Sequence, residues 1–285
     1  MRRSFVFPVG ILLLVAAATG WLAIQSPAGQ QNKDNKDGVE QQIRDIQSMK
    51  EILASIDKQT FLVFDVDNTV IEPKEGNLGS DQWYYYLVRK YKEIDGLSKK
   101  EADRKATDVW NTVQGIITVR AVEDITPGII KEQQKSGTMV LGFTARSPDL
   151  ADKTVEQLKS VGIDYAMHRL HKTDFDFKLD GDTARYTRGV LFIGDGHDKG
   201  RALVQFLKEI NFEPKRVVFV DDKPKNVESV AQALKDRGID HACFRYGAAD
   251  SKVLQFEADT KNIRLYFGGE LTKGTEKASK EPGKN

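Results

Sequence analysis

Apolar residues along this chain fall into two kinds of pattern. Short uninterrupted runs at Phe61–Phe64, Thr138–Phe143, Val217–Val220 and Ala242–Tyr246 have the length and composition of buried strands. Between and before them, apolar positions recur every three to four residues. That spacing predicts helices over Val39–Ile56, Pro127–Lys135, Ala151–Val161, Lys199–Ile210 and Asn226–Arg237. Short buried strands alternating with amphipathic helices indicate a parallel sheet covered on both faces. With right-handed crossovers this is an α/β fold with a doubly wound sheet.

Two stretches depart from the alternation. From about Ser80 to Arg120 the pattern is helical only, over Asp81–Lys92 and Ser98–Val113. This block lies between the first and second apolar runs, so it is expected to form a small helical cap inserted after the first strand. Phe175–Phe177 and Arg185–Phe192 are expected to be two strands joined by a turn at Asp180-Gly181-Asp182.

At the start, Arg2 and Arg3 precede an uncharged run whose apolar part is Phe5–Ile24. A positive start followed by an apolar stretch reads as a signal peptide or an uncleaved signal anchor. Ser26-Pro27-Ala28 offers small residues for cleavage after Ala28. Either form places the rest of the chain across the membrane, in the periplasm or anchored to the inner membrane facing outward. No cysteine follows the run to take a lipid. The expected organisation is a signal segment over 1–28, a linker and N-terminal helix over 29–58, a core over 59–268 with the cap at about 80–120, and a disordered tail over 269–285.

Composition narrows the function. The 285 residues carry 43 Lys and Arg against 42 Asp and Glu, a net charge of +1. A dedicated nucleic-acid binder would show a basic excess, so no nucleic-acid partner is expected. Hydrophobic residues at 40% allow an ordinary buried core. The lone Cys243 rules out an internal disulfide and a cysteine-rich zinc site, and it suits an oxidising compartment. Oligomeric state is left open.

Chemistry is expected where strands end, because ligands of open α/β sheets bind beyond the carboxyl ends of the strands. Asp65 ends the first run, with Asp67, Asn68 and Thr69 directly after it; Asp221 and Asp222 end the third. Two strands thus deliver carboxylates to one sheet edge, and clustered carboxylates call for a cation. Hard oxygen ligands beside a phosphorylated substrate point to Mg²⁺. Thr144 ends the second run and is followed by Ala145 and Arg146, whose backbone N–H groups and the Thr144 hydroxyl can take phosphate oxygens. Lys199 opens a helix, a strong local anion site. A single acid pair in a turn is ordinarily solvated loop chemistry. Two acidic clusters, a threonine and a helix-opening lysine in this order are not.

The set Asp65-Val-Asp67-Asn68-Thr69, Thr144, Lys199 and Asp221-Asp222 resembles the four motifs of the haloacid dehalogenase (HAD) superfamily, over roughly residues 60 to 245. The resemblance is to an exported bacterial branch and implies a Rossmann-like core with a cap. It also implies roles. Asp65 would be the phosphoryl-accepting nucleophile and Asp67 the general acid and base. Asp65, the Asp67 backbone carbonyl and Asp221 would hold Mg²⁺. Thr144, Ala145 and Lys199 would bind the phosphoryl group. Asp222 is a direct ligand or acts through water or Lys199, Thr69 supports the loop beneath Asp65, and Arg146 is a candidate for substrate contact.

These roles describe a phosphatase of small phosphomonoesters. A dehalogenase needs no acid two residues after the nucleophile, so Asp67 disfavours it. A phosphomutase keeps that acid, and export counts against it. A catalytically silent binding or surface protein that retains the metal site is the alternative of a different class. His197 is read as a surface residue, and His168 and His171 receive no role. Trp83-Tyr84-Tyr85-Tyr86 is read as packing of the cap on the core before a lining of the entrance, and Lys99-Lys100 as a solvated helix face.

Overall fold

The computed structural model describes residues 43–74, 76–259, 265–267 and 270–272. The expected signal segment and most of the linker lie outside the described residues. Twelve strands occur among those described. They are β1 (Ile43–Ile46), β2 (Thr60–Phe64), β3 (Ile71–Pro73), β4 (Val119–Ala121), β5 (Met139–Thr144), β6 (Phe175–Leu179), β7 (Asp182–Thr187), β8 (Val190–Phe192), β9 (Arg216–Asp221), β10 (Asp240–Tyr246), β11 (Leu265–Phe267) and β12 (Glu270–Thr272). The α-helices are α1 (Asp81–Glu93), α2 (Lys99–Gln114), α3 (Thr126–Lys135), α4 (Ala151–Ser160), α5 (Lys199–Glu209), α6 (Pro224–Asp236) and α7 (Asp250–Asp259).

The main sheet has eight strands in the order β1-β10-β9-β2-β5-β8-β7-β6. The six from β1 to β8 run parallel, and β7 and β6 close one edge antiparallel. This is the α/β, mostly parallel, doubly wound sheet that the alternation of runs and helices predicts. Side chains alternate across it with period two. On β2, Leu62 and Phe64 pack with Val140, Val218 and Val220 beneath α3 and α4. Phe61 and Val63 pack on the other face with Leu141, Val217 and Phe219 beneath α5 and α6. From β2 the chain proceeds to β5 and β8 on one side, then returns to β9 and β10 on the other. The switch point therefore falls between β2 and β9.

The helical insertion rises from a small antiparallel ribbon, in which β3 pairs with β4 through Ile71↔Ala121 and Pro73↔Val119. The sequence pattern had no strand signal here, because three residues are too few to show a period. Ser80 and Ser98 cap α1 and α2 through their side chains. Trp83, Leu87, Tyr91, Ala106 and Trp110 form the insertion's own apolar cluster, joined by Leu150 and Phe256 from the core.

Three expectations need correction. Val39–Ile56 is not a helix where it is described: β1 adds to the sheet edge beside β10, and a 3-10 helix follows at Met49–Ser55. Its spacing of apolar residues fits a helix, but open pairing sites on β10 decide for a strand. Arg185–Phe192 is two strands, because Arg188 and Gly189 take positive φ and turn the chain. Of the segment expected to be a disordered tail, the described residues Glu270–Thr272 form a strand, β12, antiparallel to β11. The Gly268-Gly269 pair between them is a hairpin signal in the sequence. Among the described residues no helix is long and apolar enough to cross a membrane.

Candidate active site

Asp65 leaves the carboxyl end of β2, where its N–H still donates to Val220 O at 2.9 Å. The chain then folds back tightly, with Val70 N–H and Ile71 N–H both donating to Val66 O. This turn needs a left-handed residue, and Asn68 supplies it at φ 58°. Asparagine tolerates that conformation better than most residues. The return places Thr69 under Asp65, and its hydroxyl donates to Asp65 Oδ2 at 3.1 Å.

Asp221 ends β9, the strand beside β2, and is fully buried. It accepts from Lys223 N–H at 2.8 Å and from the Asn226 amide at 3.0 Å on each oxygen. Asp222 follows it. Its Oδ1 is buried without a hydrogen-bond partner, and its Oδ2 has only a long contact of 3.5 Å from Asn68. Ligand oxygens of Asp65, Asp221 and Asp222 lie within 4.8 Å of one another.

Lys199 stands at the first turn of α5 and is 2% exposed. Its Nζ donates to Asp65 Oδ1, to Asp221 Oδ2 at 2.7 Å and to Phe143 O at 3.2 Å. The helix start is fixed by Asp198, which accepts from Arg201 N–H and from the Ser229 hydroxyl of α6. Gly200 lets α5 approach α6, since a Cβ there would lie 2.2 Å from Ser229 O.

Burial and three nearby carboxylates set the electrostatics. Burial pushes the Asp65 carboxyl up to about 7; Lys199 pulls it down, while Asp221 and Asp67 push it further up. Burial, then Asp221 and Asp65, push Asp222 well above the carboxylate range. Burial alone would lower the Lys199 pKa, but Asp221 and Asp65 outweigh it and raise it. One lysine among three clustered acids, two buried and one half-buried, leaves negative charge uncompensated. The orphaned Asp222 oxygen and the all-oxygen donor set fit a hard divalent cation.

Asp67 turns away from this cluster. Arg146 holds both of its oxygens, Nη2 to Oδ1 at 2.8 Å and Nε to Oδ2 at 2.9 Å. The guanidinium is itself anchored by Thr154 Oγ1 at 3.0 Å and Gln157 Oε1 at 2.7 Å, and it lies against the Trp110 ring of α2. Thr144 is buried at the end of β5, where its hydroxyl accepts from Arg146 N–H at 3.0 Å. Ala145 lines the cleft beyond Asp67 together with Arg146.

The structure thus brings together Asp65, Thr69, Lys199, Asp221 and Asp222, with Thr144, Ala145, Arg146 and Asp67 beside them. It sets Asp222 rather than the Asp67 side chain with the other two carboxylates. Arg146, read as a candidate for substrate contact, is above all the clamp on Asp67. Sequence reasoning missed Asn226, Ser229, Gln157 and Lys223, which orient other side chains and carry no motif of their own. Of the aromatic run, Trp83 and Tyr84 belong to the apolar cluster and Tyr86 packs against it, while Tyr84 and Tyr85 also line the cleft. His197 faces Asp182 at 3.3 Å and takes no part. A larger hollow of about 450 Å³, lined by Asp149, Asp176, Arg185 and Arg188 among others, contains none of the acids of this site.

A family model described as "Protein of unknown function (DUF2608)" matches residues 44–273. The chain belongs to this family. It is similar to a protein of Chlamydia trachomatis serovar D named "Putative outer membrane protein", with 25% identity over 234 residues, 81% of this chain and 87% of that one. Among solved structures it is similar to the class C acid phosphatase from Bacillus anthracis, with 15% identity, 76% and 85% of the two chains covered and a TM-score of 0.34. It is also similar to a HAD family hydrolase from Deinococcus radiodurans with bound phosphate and sodium, with 12% identity, 70% and 95% covered and a TM-score of 0.34. At such scores the chemistry of the DUF2608 chain has to come from its own side chains.

Proposed function

We propose that this DUF2608 chain is an exported, Mg²⁺-dependent phosphatase that hydrolyses small phosphomonoesters through an aspartyl-phosphate on Asp65. The observation that carries this is the convergence of Asp65, Lys199, Asp221 and Asp222 at the switch point between β2 and β9. An attacking carboxylate, a buried ammonium and a cation-seeking acid pair are what phosphoryl transfer needs.

Asp65 attacks phosphorus, and the ester P–O bond breaks as the acyl phosphate forms. Lys199 and the backbone N–H groups after Thr144 offset the charge on the phosphoryl oxygens. Asp67 gives its proton to the departing alkoxide. It later takes one from the water that attacks the acyl phosphate, which frees inorganic phosphate and restores Asp65. Arg146 holds both Asp67 oxygens, the pairing of an ionised carboxylate, so before the first step one of those hydrogen bonds must open and Asp67 must take a proton from solvent. Mg²⁺ would be held by Asp65, Asp221, Asp222 and the Asp67 backbone carbonyl, and when bound it supplies compensation for the dianionic ester. The apolar run at Phe5–Ile24 and the name of the chlamydial relative support an envelope location, periplasmic or at the outward face of the inner membrane.

The test is hydrolysis of p-nitrophenyl phosphate by the full chain. Turnover with Mg²⁺ that disappears in excess chelator and returns on adding Mg²⁺ is the expected result. Undiminished activity in chelator would remove the metal from the proposal. No turnover under any condition would favour the silent binding protein.

A further inference from the structure

We propose that the leaving-group side of this site is built for a primary ammonium group, so that the preferred substrates are phosphate esters of small amino alcohols. This deepens, and rests on, the phosphatase reading above.

The cleft beyond Asp67 is narrow, about 60 Å³. Tyr84, Tyr85 and Trp110 of the cap line it. Tyr84 stands nearly perpendicular to both neighbours, at 78° to Tyr85 with centroids 5.3 Å apart and at 81° to Trp110 with centroids 6.4 Å apart. Two of these rings already hold cations of the chain on their faces, Arg146 over Trp110 at 5.2 Å and Lys223 over Tyr85 at 4.9 Å, so the walls are of a kind that attracts positive charge.

The charged groups point the same way. Both cations of the cleft are already committed: Arg146 to Asp67, and Lys223 to Asp81 at 2.6 Å. Asp195, in the loop before Lys199, takes the Tyr84 hydroxyl at 2.9 Å, and no lysine or arginine among the described residues pairs with it. The walls therefore carry one negative charge more than positive. The phenols respond to this field. Burial first and then Asp195 push Tyr84 up; burial first and then Asp81 push Tyr85 up to about 12.

Hydrogen-bonding capacity selects the kind of cation. Asn111, on α2, lines the cleft with its Oδ1 buried and unpartnered. With Asp195 it gives two acceptors in want of donors. A primary ammonium supplies up to three N–H donors, whereas a quaternary ammonium supplies none. A neutral polyol leaves the extra charge uncompensated, and an anionic leaving group is repelled. An amino alcohol ester carries its phosphate dianion at the Lys199 end and its cation at the Asp195 end, matching the polarity of the site.

The experiment compares kcat/KM for O-phosphoethanolamine, phosphocholine and glycerol 3-phosphate on the full chain with Mg²⁺, with p-nitrophenyl phosphate as reference. Phosphoethanolamine should exceed glycerol 3-phosphate by roughly ten- to a hundredfold, the range expected of a charge-assisted hydrogen bond. Phosphocholine should fall between them. Asp195→Asn should cut the phosphoethanolamine to glycerol 3-phosphate ratio by about tenfold. The same preference should appear without turnover, as a larger rise in unfolding temperature with phosphoethanolamine than with glycerol 3-phosphate. If p-nitrophenyl phosphate is cleaved but glycerol 3-phosphate is the equal of phosphoethanolamine, the ammonium subsite is wrong and the phosphatase stands. If nothing is cleaved the phosphatase reading fails, and equal thermal shifts would then overturn the subsite as well.

Discussion

Asp65 and Asp67 lie two residues apart yet face different partners, Lys199 for one and Arg146 for the other. Their substitutions should therefore fail differently. Asp65→Asn removes the attacking carboxylate and should abolish turnover with no labelled enzyme. Asp67→Asn should lower the rate by on the order of 10² to 10⁴, the usual worth of a general acid or base. With nitrophenolate leaving, which needs little protonation, this variant should accumulate a phosphoenzyme that acid quenching traps. Equal labelling of the two variants would show that Asp65 is not the nucleophile. The acid cluster itself makes a prediction about stability. Burial lifts the Asp65 pKa from 3.8 to about 7, and Asp222 shifts in the same direction. Between about pH 4 and 7 the folded chain holds a proton that the unfolded chain has released, so folding stability falls as pH rises through that window. In chelator at pH 8, Asp222→Asn should raise the unfolding midpoint by roughly 3–6 °C, since 1 kcal/mol moves a domain of this size by about 2–4 °C. The gain should shrink at pH 5, and Mg²⁺ should stabilise wild type more than the variant. An unchanged midpoint at pH 8 would mean that Asp222 is not a strained carboxylate.

At the level of elements, Lys199 depends on the seating of α5 against α6. Gly200 is the contact point, and its N–H donates to the Ser229 hydroxyl, which in turn donates to Asp198, the cap of α5. Gly200→Ala would force backbone against backbone, and neither helix can yield without moving Lys199. We expect a loss of about 1–3 kcal/mol, the usual cost of overpacking. A tenfold or greater fall in kcat should accompany it, as the ammonium shifts from Asp65. Urea midpoints and turnover measured on the same preparation check both. Stability lost with kcat intact would show that Lys199 has its own anchorage through Phe143 O. The cap is tied to the core by a different set of contacts. Gln157 of α4 donates to the Gln114 carbonyl and side chain at the end of α2, and the same Gln157 anchors Arg146. The position of the cap and the clamp on Asp67 are thereby linked through one side chain.

For the whole molecule, the proposal of export is checked by fractionation. The full chain should be recovered outside the cytoplasm, deletion of residues 1–28 should retain it inside, and N-terminal sequencing distinguishes a cleaved signal from an anchor. Intact protein confined to the cytosol would end that proposal. The sheet and its chemistry were legible in the sequence to different depths. Runs such as Phe61–Phe64 and Val217–Val220 announce central strands, because a strand buried on both faces must be apolar at every position. β1 was not legible, since an edge strand reading Ile-Arg-Asp-Ile obeys no such constraint and owes its state to β10. The order of the acidic, threonine and lysine motifs along the chain already pointed to one edge of the sheet, because each follows a strand or opens a helix. Order alone could not say that Asp222 would join Asp65 and Asp221, that Arg146 would clamp Asp67, or that Asp195 would meet Tyr84. Those pairings depend on where loops from strands far apart in sequence end in space, and only packing of the sheet, α4 and the cap sets that.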